Sequence, residues 1–246
     1  MAKPKLALYW AASCGGCEIA VLDLHEKILD VAGAFDIVFW PVAMDFKYDD
    51  VRRMDDGSID LCLFNGAIRN SENQEIAHLL RRKSKVLVAF GSCSMEGGIP
   101  GLANLTSKED ILRFVFRESA STVGGEKNAY PAEHTVTPQG PIEIPEMWDT
   151  VKALDQEVEV EYYIPGCPPQ PERIWGVIEH ILSGKPLPPP GSVLGAGTKT
   201  CCDECPRERK EKKIKQFYRP YEIQADPSQC LLDQGIVCMG PATRDG

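Results

Sequence analysis

The chain reads as an α/β protein: an open, doubly wound, largely parallel sheet with helices on both faces, followed by a small irregular C-terminal domain. Three observations predict this. Residues 1–184 alternate strand-like apolar runs with segments of helical period. A Pro/Gly stretch, KPLPPPGSVLGAG (185–197), then breaks the pattern as a linker does. The remainder, 198–246, is strand-poor and rich in cysteine. About fifty residues cannot bury an adequate core alone, so metal or a partner must hold that segment together.

The elements follow in order. KLALYW (5–10) is a short apolar strand, and AASCGGC leads into EIAVLDLHEKILDVAG, a helical pattern ending at Gly33. FDIVFWPVA (35–43) and DLCLFNGAI (60–68) read as buried strands. NSENQEIAHLLRRKS (70–84) opens on a capping residue and closes on a basic turn, as a helix should. KVLVAFGSC (85–93) is the clearest strand, and SKEDILRFVFRESAST (107–122) is helical, with Ser107 as its cap. Residues 123–150 hold four prolines and no period, which predicts a long surface insertion. VEVEYYIPGC (158–167) is a strand, and PERIWGVIEHILSG (171–184) a helix with Pro171 near its start and Gly184 at its end.

Composition narrows the function. A net charge of −9 and a pI near 5.1 argue against a nucleic-acid partner for the chain as a whole. No apolar run approaches the length of a membrane span, and MAKPKLALYWAAS lacks the pattern of an export signal, so a cytoplasmic location is expected. In a reducing compartment ten cysteines are metal ligands, redox groups or core residues rather than a disulfide framework. Cys62, inside the apolar IDLCLFNGAI, reads as a small buried hydrophobe.

Cys14 and Cys17 lie between the first strand and first helix, Cys93 ends one strand and Cys167 another. In a parallel sheet these loops leave from one edge, the carboxyl ends of the strands. Gly15, Gly16, Gly91 and Gly166 let backbone come close to a compact cluster, and Pro165, Pro168 and Pro169 stiffen the last loop. Four thiols with glycine neighbours fit a four-thiolate iron–sulfur cluster. A redox CGGC pair leaves Cys93 and Cys167 unexplained, and structural zinc usually draws on two short local pairs. Unrelated core thiols are the remaining reading.

The tail carries a second set, Cys202-x2-Cys205-x24-Cys230-x7-Cys238. Its compactness leaves zinc as the serious rival to a cluster, although a zinc ribbon normally repeats the x2 spacing. Cys201 stands beside Cys202 and competes with it as the ligand. Between the pairs lies RERKEKKIKQFYRPYEI (207–223), either a solvated basic face or a docking surface for an acidic partner. No phosphate-binding loop or dinucleotide fingerprint is present, and His25, His78, His134 and His180 have no second ligand nearby in sequence. Glu18 follows Cys17 directly, as a candidate proton relay or as an ordinary first-turn carboxylate.

CGGCE (14–18), GSCSMEGGIPGL (91–102) and PGCPPQPE (165–172) together resemble the small subunit of [NiFe] hydrogenases. The tail, CDECPRERKEKKI…CLLDQGIVCMGPATR, is similar to the gamma subunit of cytoplasmic F420-non-reducing (methyl-viologen-reducing) hydrogenases, with the F420-reducing enzymes a close second. The cluster-bearing subunit of respiratory complex I is a more distant likeness. The resemblance implies a flavodoxin-like domain over 1–184 with Cys14, Cys17, Cys93 and Cys167 on a proximal [4Fe–4S] cluster, and a domain at 198–246 with Cys202, Cys205, Cys230 and Cys238 on a second. The resemblance also implies a third cluster whose cysteines follow the GPATR segment (240–244): either the chain continues past Gly246 to reach them or this relative lacks that cluster. The Ni–Fe centre would belong to a large subunit, leaving no catalytic group on this chain. Electrons from H₂ would leave through a small iron–sulfur subunit to a flavin-bearing, heterodisulfide-reductase-like complex. The rival from another class is a zinc-stabilised scaffold without redox function.

Overall fold

The computed structural model describes residues 2–210 and 213–243; Glu211 and Lys212 of the basic run and Arg244 to Gly246 at the end lie outside the described residues. Two compact units are present, one running to Gly195 and the other starting at Ala196.

The first unit is built in the order β1 (Lys5–Trp10), α1 (Gly16–Leu22), α2 (Lys27–Ala34), β2 (Asp36–Phe39), α3 (Tyr48–Arg52), β3 (Ile59–Asn65), β4 (Ile68–Asn70), α4 (Ser71–Lys83), β5 (Ser84–Phe90), α5 (Ser92–Glu96) and α6 (Lys108–Arg113). It continues through β6 (His134–Thr137), β7 (Gly140–Glu143), β8 (Met147–Lys152), β9 (Tyr162–Ile164), α7 (Pro171–Leu182) and β10 (Ser192–Val193). Six strands form one sheet in the order β10-β9-β5-β3-β1-β2, every pair parallel. Counted along the chain within this sheet the order is 2-1-3-4-5-6, the flavodoxin-like winding with one further edge strand.

Residue alternation explains why both faces are covered. On β3, Leu61 and Leu63 join Leu8, Val88, Val21 and Ile174 in one core, under α1 and α7. Cys62 and Phe64 point the other way, into a core with Tyr9, Leu87, Ile76 and Leu80 under α4. A strand buried on both faces has no polar side, which is why the sequence shows continuous apolar runs there. Each such side chain taken from water stabilises the fold by roughly 1.5–3 kcal/mol.

The structure departs from the sequence reading at several places. The helix expected over 18–33 is broken between Leu22 and Lys27, where His25 takes a positive φ of 55°. Apolar period is indifferent to such a turn, because Leu24 and Val31 stay buried on either side of it. The strand expected over 35–43 stops at Phe39, and Pro41 lacks the N–H that a continuing ladder needs. The run 60–68 is two strands, since Gly66 at φ 102° turns the chain after Asn65 and a Cβ there would meet Ala11 backbone at 2.7 Å. The 123–150 insertion contains the β6–β7 hairpin and leads into β8, which pairs antiparallel with β4. The Pro/Gly stretch contributes β10, and Leu194 N–H donates to Tyr163 O at 2.8 Å, so the first unit extends to Gly195.

The second unit has one short helix, α8 (Cys201–Glu204), two 3₁₀ turns and a single isolated bridge, Glu208 with Gln229, among its described residues. Among the described residues of the whole chain no helix is long and apolar enough to cross a membrane.

Candidate metal centres

Cys14 and Cys17 stand where β1 gives way to α1. Trp10 Nε1–H donates to Ser13 O at 3.1 Å, and Gly15 N–H donates to Ser13 Oγ at 3.2 Å, shaping the loop that carries Cys14. Gly15 must be glycine: its φ is 80°, and a Cβ there would sit 2.8 Å from the Trp10 ring. Gly16 N–H points to Cys14 Sγ at 3.4 Å, an N–H···S contact of the kind that tunes a metal-bound thiolate.

The other two loops are tied to one another before they meet this one. Gly91 N–H donates to Ile164 O and Ser92 N–H to Gly166 O, each at 2.8 Å, so the loops after β5 and β9 share backbone bonds. Cys93 is therefore on the first turn of α5 rather than the end of a strand, because Gly91 at φ 85° redirects the chain two residues earlier. A Cβ on Gly91 would lie 2.3 Å from Cys17 Sγ, which measures how closely the β5 loop approaches the β1 loop. Pro168, next to Cys167, lies 3.9 Å from where a Cβ on Gly16 would be.

The four thiols thus gather from three strand ends. Cys17 and Cys93 are buried, whereas Cys14 and Cys167 are exposed. Burial first, then the neighbouring thiols of Cys93 and Cys14, pushes the Cys17 thiol up to about 12. Burial also raises Cys93, opposed by the backbone N–H of Ile99. Both shifts favour the neutral thiol, and a metal bound there would reverse them by stabilising thiolate. Glu18 is also buried, with Oε2 accepting from Trp40 Nε1–H at 2.5 Å and Oε1 unpartnered. Its carboxyl is raised by burial, against the pull of Trp40 and Asn65. Asn65, at the end of β3, is fully buried, and its side-chain amide lies near enough to the Glu18 carboxyl to oppose that rise without a hydrogen bond of ordinary geometry.

In the second unit, Thr200 caps α8 by accepting from Cys202 N–H at 3.2 Å, and its own N–H donates to Asp203 at 2.6 Å. A Cβ on Gly240 would lie 3.3 Å from Cys202 Sγ and 3.5 Å from Cys238 Sγ, so these two thiols flank one glycine. Gly240 N–H points to Cys238 Sγ at 3.5 Å. Cys201 is exposed, and its Cβ lies 3.9 Å from that position, farther than either sulfur. Cys230 is held by its N–H bond to Glu208 O at 2.8 Å, beside the bridge that Glu208 makes with Gln229. The Cys205 thiol is lowered by the Arg207 backbone N–H and then by its guanidinium, 4.0 Å away.

Among the described residues no three His, Cys, Asp or Glu side chains close on a point that could hold a single metal ion. The donors nonetheless fit an iron–sulfur cluster: all are thiols, glycines leave room beside them, and backbone N–H groups aim at sulfur. Sequence reasoning missed Gly98, at φ 49°, where a Cβ would lie 2.9 Å from Cys93 N. It also missed Trp40 and Asn65 around Glu18, which lie far along the chain and carry no local motif.

Comparison with known proteins identifies relatives of this chain. Residues 14–181 match the family model for the NADH ubiquinone oxidoreductase 20 Kd subunit. The F420-non-reducing hydrogenase iron-sulfur subunit of Archaeoglobus profundus is 39% identical over 98% of this chain and 76% of its own length. The corresponding F420-non-reducing hydrogenase protein of Methanocaldococcus jannaschii is 38% identical over 98% and 75%. A chain of an NAD⁺-reducing [NiFe]-hydrogenase, solved in its H₂-reduced state, superposes with a TM-score of 0.64 at 29% identity, over 77% of this chain and 97% of that one. A protein that collects thiols on a flavodoxin-like sheet edge, with relatives this similar along nearly its whole length, belongs among the iron–sulfur subunits of F420-non-reducing hydrogenases, within the NADH ubiquinone oxidoreductase 20 Kd subunit family.

Proposed function

We propose that this chain carries electrons away from H₂ oxidation as the small subunit of a cytoplasmic [NiFe] hydrogenase. The observation that carries this reading is the convergence of Cys14, Cys17, Cys93 and Cys167 from three loops of one sheet edge, with Gly91 leaving no room for a side chain beside Cys17. These four would hold one [4Fe–4S] cluster, and Cys202, Cys205, Cys230 and Cys238 a second. Such a cluster stores and releases single electrons at a potential set by its surroundings.

The chain's own residues supply those surroundings. Burial of Cys17 and Cys93 excludes water from one side of the first set. The Gly16 and Gly240 amides each offer an N–H to a sulfur, which raises the potential of a centre bound there. Glu18, with Oε1 free inside the protein, is placed to hold a proton at that atom next to Cys17. The Ni–Fe centre would reside on a large subunit covering the exposed Cys14 and Cys167. The acceptor would be a small iron–sulfur subunit leading to a heterodisulfide-reductase-like flavin complex.

Iron, acid-labile sulfide and zinc on anaerobically purified protein test the reading. About eight iron and eight sulfide per chain are expected for two cubane clusters. Zinc without sulfide would overturn the reading in favour of a scaffold. In the assembled enzyme, Cys93→Ser should remove about half the iron and at least about 100-fold of H₂-dependent viologen reduction. Near-normal activity would remove Cys93 from the ligand set.

A further inference from the structure

The two faces of the parallel sheet are covered unequally. On one side lies α4, thirteen residues long, and large side chains fill the core, among them Tyr9, Phe39, Phe64, Ile76, Leu80 and Leu154. The other side is covered by α1 of seven residues, α2 of eight and α7 of twelve, with the turn at His25 separating the first two. Between these helices and the strands the protein encloses a cavity of about 340 Å³. Small side chains border it from strand and helix alike: Val21, Val31, Val86, Val88 and Val177, with Ala34. Protein interiors are normally packed to the density of organic crystals, so this space is an exception within its own fold. An apolar cavity of about 150 Å³ already stays dry and takes up benzene.

Its two ends are marked by burial. Pro4 and Leu182 are exposed and Asp60 is half-buried, so the cavity opens at the amino edge of the sheet. Leu8, Trp40 and Ile164, all buried, close it toward the carboxyl edge. Along the first strand it runs from Pro4 to Leu8, four steps of about 3.3 Å, or about 13 Å in all. The three polar side chains of the lining already have partners. Asp60 accepts from Lys5 N–H with one oxygen and from Lys85 Nζ with the other, each at 2.7 Å. Tyr162 O–H donates to Pro188 O at 3.0 Å, and Trp40 Nε1–H donates to Glu18. A polar or ionic ligand entering this lining would lose its hydration without compensation, whereas a hydrocarbon has none to lose.

We propose that this cavity binds an uncharged hydrocarbon chain, which enters past Pro4, Asp60 and Leu182 and ends against Trp40. Burial of its methylene groups supplies the affinity, and no bond is made or broken. The site consists of this chain's own residues and holds independently of the electron-transfer reading.

The test uses the protein purified with its native partners and 1-decanol as probe, read by calorimetry and by thermal midpoint. Decanol should bind saturably at this site, one per chain, and raise the midpoint as a ligand of the folded state must. Val88→Phe sets a ring in the middle of the cavity and should weaken that binding at least about tenfold, with iron content unchanged. Should Val88→Phe fail to fold, Ala34→Phe at the end of α2 is the second block and should weaken binding by a similar factor. Equal decanol binding by the parent and whichever variant folds overturns the site. Absence of binding by the parent overturns it too, and a midpoint raised by Val88→Phe alone would then mark the cavity as a packing defect. Tighter binding of sodium decanoate would overturn the uncharged assignment, with Lys85 pairing its carboxylate. Benzene binding in place of decanol would overturn the chain in favour of a rounder, aromatic ligand.

Discussion

The two thiol sets are alike in chemistry and unlike in what holds them. The first hangs from the carboxyl ends of parallel strands whose cores are buried on both faces, and backbone bonds at 2.8 Å link its loops. The second sits in a unit whose described regular structure amounts to one four-residue helix, two 3₁₀ turns and a single bridge, with all four thiols only partly buried. A sheet edge positions ligands by hydrophobic packing that exists without metal. A segment of about fifty residues has no such reserve, so its ligand geometry and its fold are one free-energy balance.

Stripping the metal should therefore separate the two regions more than any substitution. After anaerobic oxidation and chelation, limited proteolysis is expected to cut within 196–246 while residues up to Gly195 stay intact and keep their far-ultraviolet circular dichroism. Equal resistance of both units would mean that the second folds on contacts not evident in its sparse secondary structure.

Glycines beside the thiols sharpen the contrast. Gly91→Ala adds a methyl 2.3 Å from Cys17 Sγ at φ 85°, in a loop whose neighbours are fixed, so both strain and displacement follow. A destabilisation of about 2–4 kcal/mol and loss of about four iron are expected. Gly240→Ala has no positive φ, and its methyl would meet Cys202 and Cys238 sulfurs at 3.3 and 3.5 Å, distances that small shifts can relieve. Its cost should stay near ~1 kcal/mol with iron retained. If Gly240→Ala proves the more damaging, the second set is the more rigid of the two, and the comparison inverts.

Much of this was legible in the sequence, and the failures have a pattern. Strand–helix alternation announces a doubly wound sheet because apolar runs and helical period each have one structural meaning at sufficient length. The common edge of the cysteine-bearing loops follows from topology, since strands that all run one way must end on one edge. What escaped was the conformation of single residues: His25 turning at φ 55°, Gly66 splitting one apolar run into β3 and β4, and Gly91 shifting Cys93 into α5. Long-range pairing escaped as well, in β4 with β8 and in Trp40 with Glu18, because the partners are separated along the chain by a distance that no local pattern spans.

The choice between Cys201 and Cys202, open in the sequence, is the next measurement of the second set. Cys202 turns its sulfur to the glycine that Cys238 also flanks, whereas Cys201 is exposed and its sulfur is not among the atoms nearest that glycine. Cys202→Ser should lose about four iron, and Cys201→Ser none, by metal analysis of the purified variants. Loss from Cys201→Ser alone would exchange their roles.

Cys62 supplies the control for every cysteine argument made from burial. Its thiol is wholly enclosed between β3 and the helices over that face, and burial pushes it up to about 12, much as it does Cys17. Burial alone therefore does not mark a ligand. What separates the two is company: Cys17 has three other thiols within electrostatic reach and a glycine pressed against its sulfur, whereas Cys62 has apolar side chains and Ser84. Cys62→Ala should accordingly cost only about 1 kcal/mol, the loss of one small buried group, read as a lowered midpoint in denaturant. Iron content and viologen reduction should not change. Were iron to fall in this variant, the sheet interior rather than its edge would be holding metal, and the contrast between a packed core and a ligand-bearing rim would fail at its best-buried point.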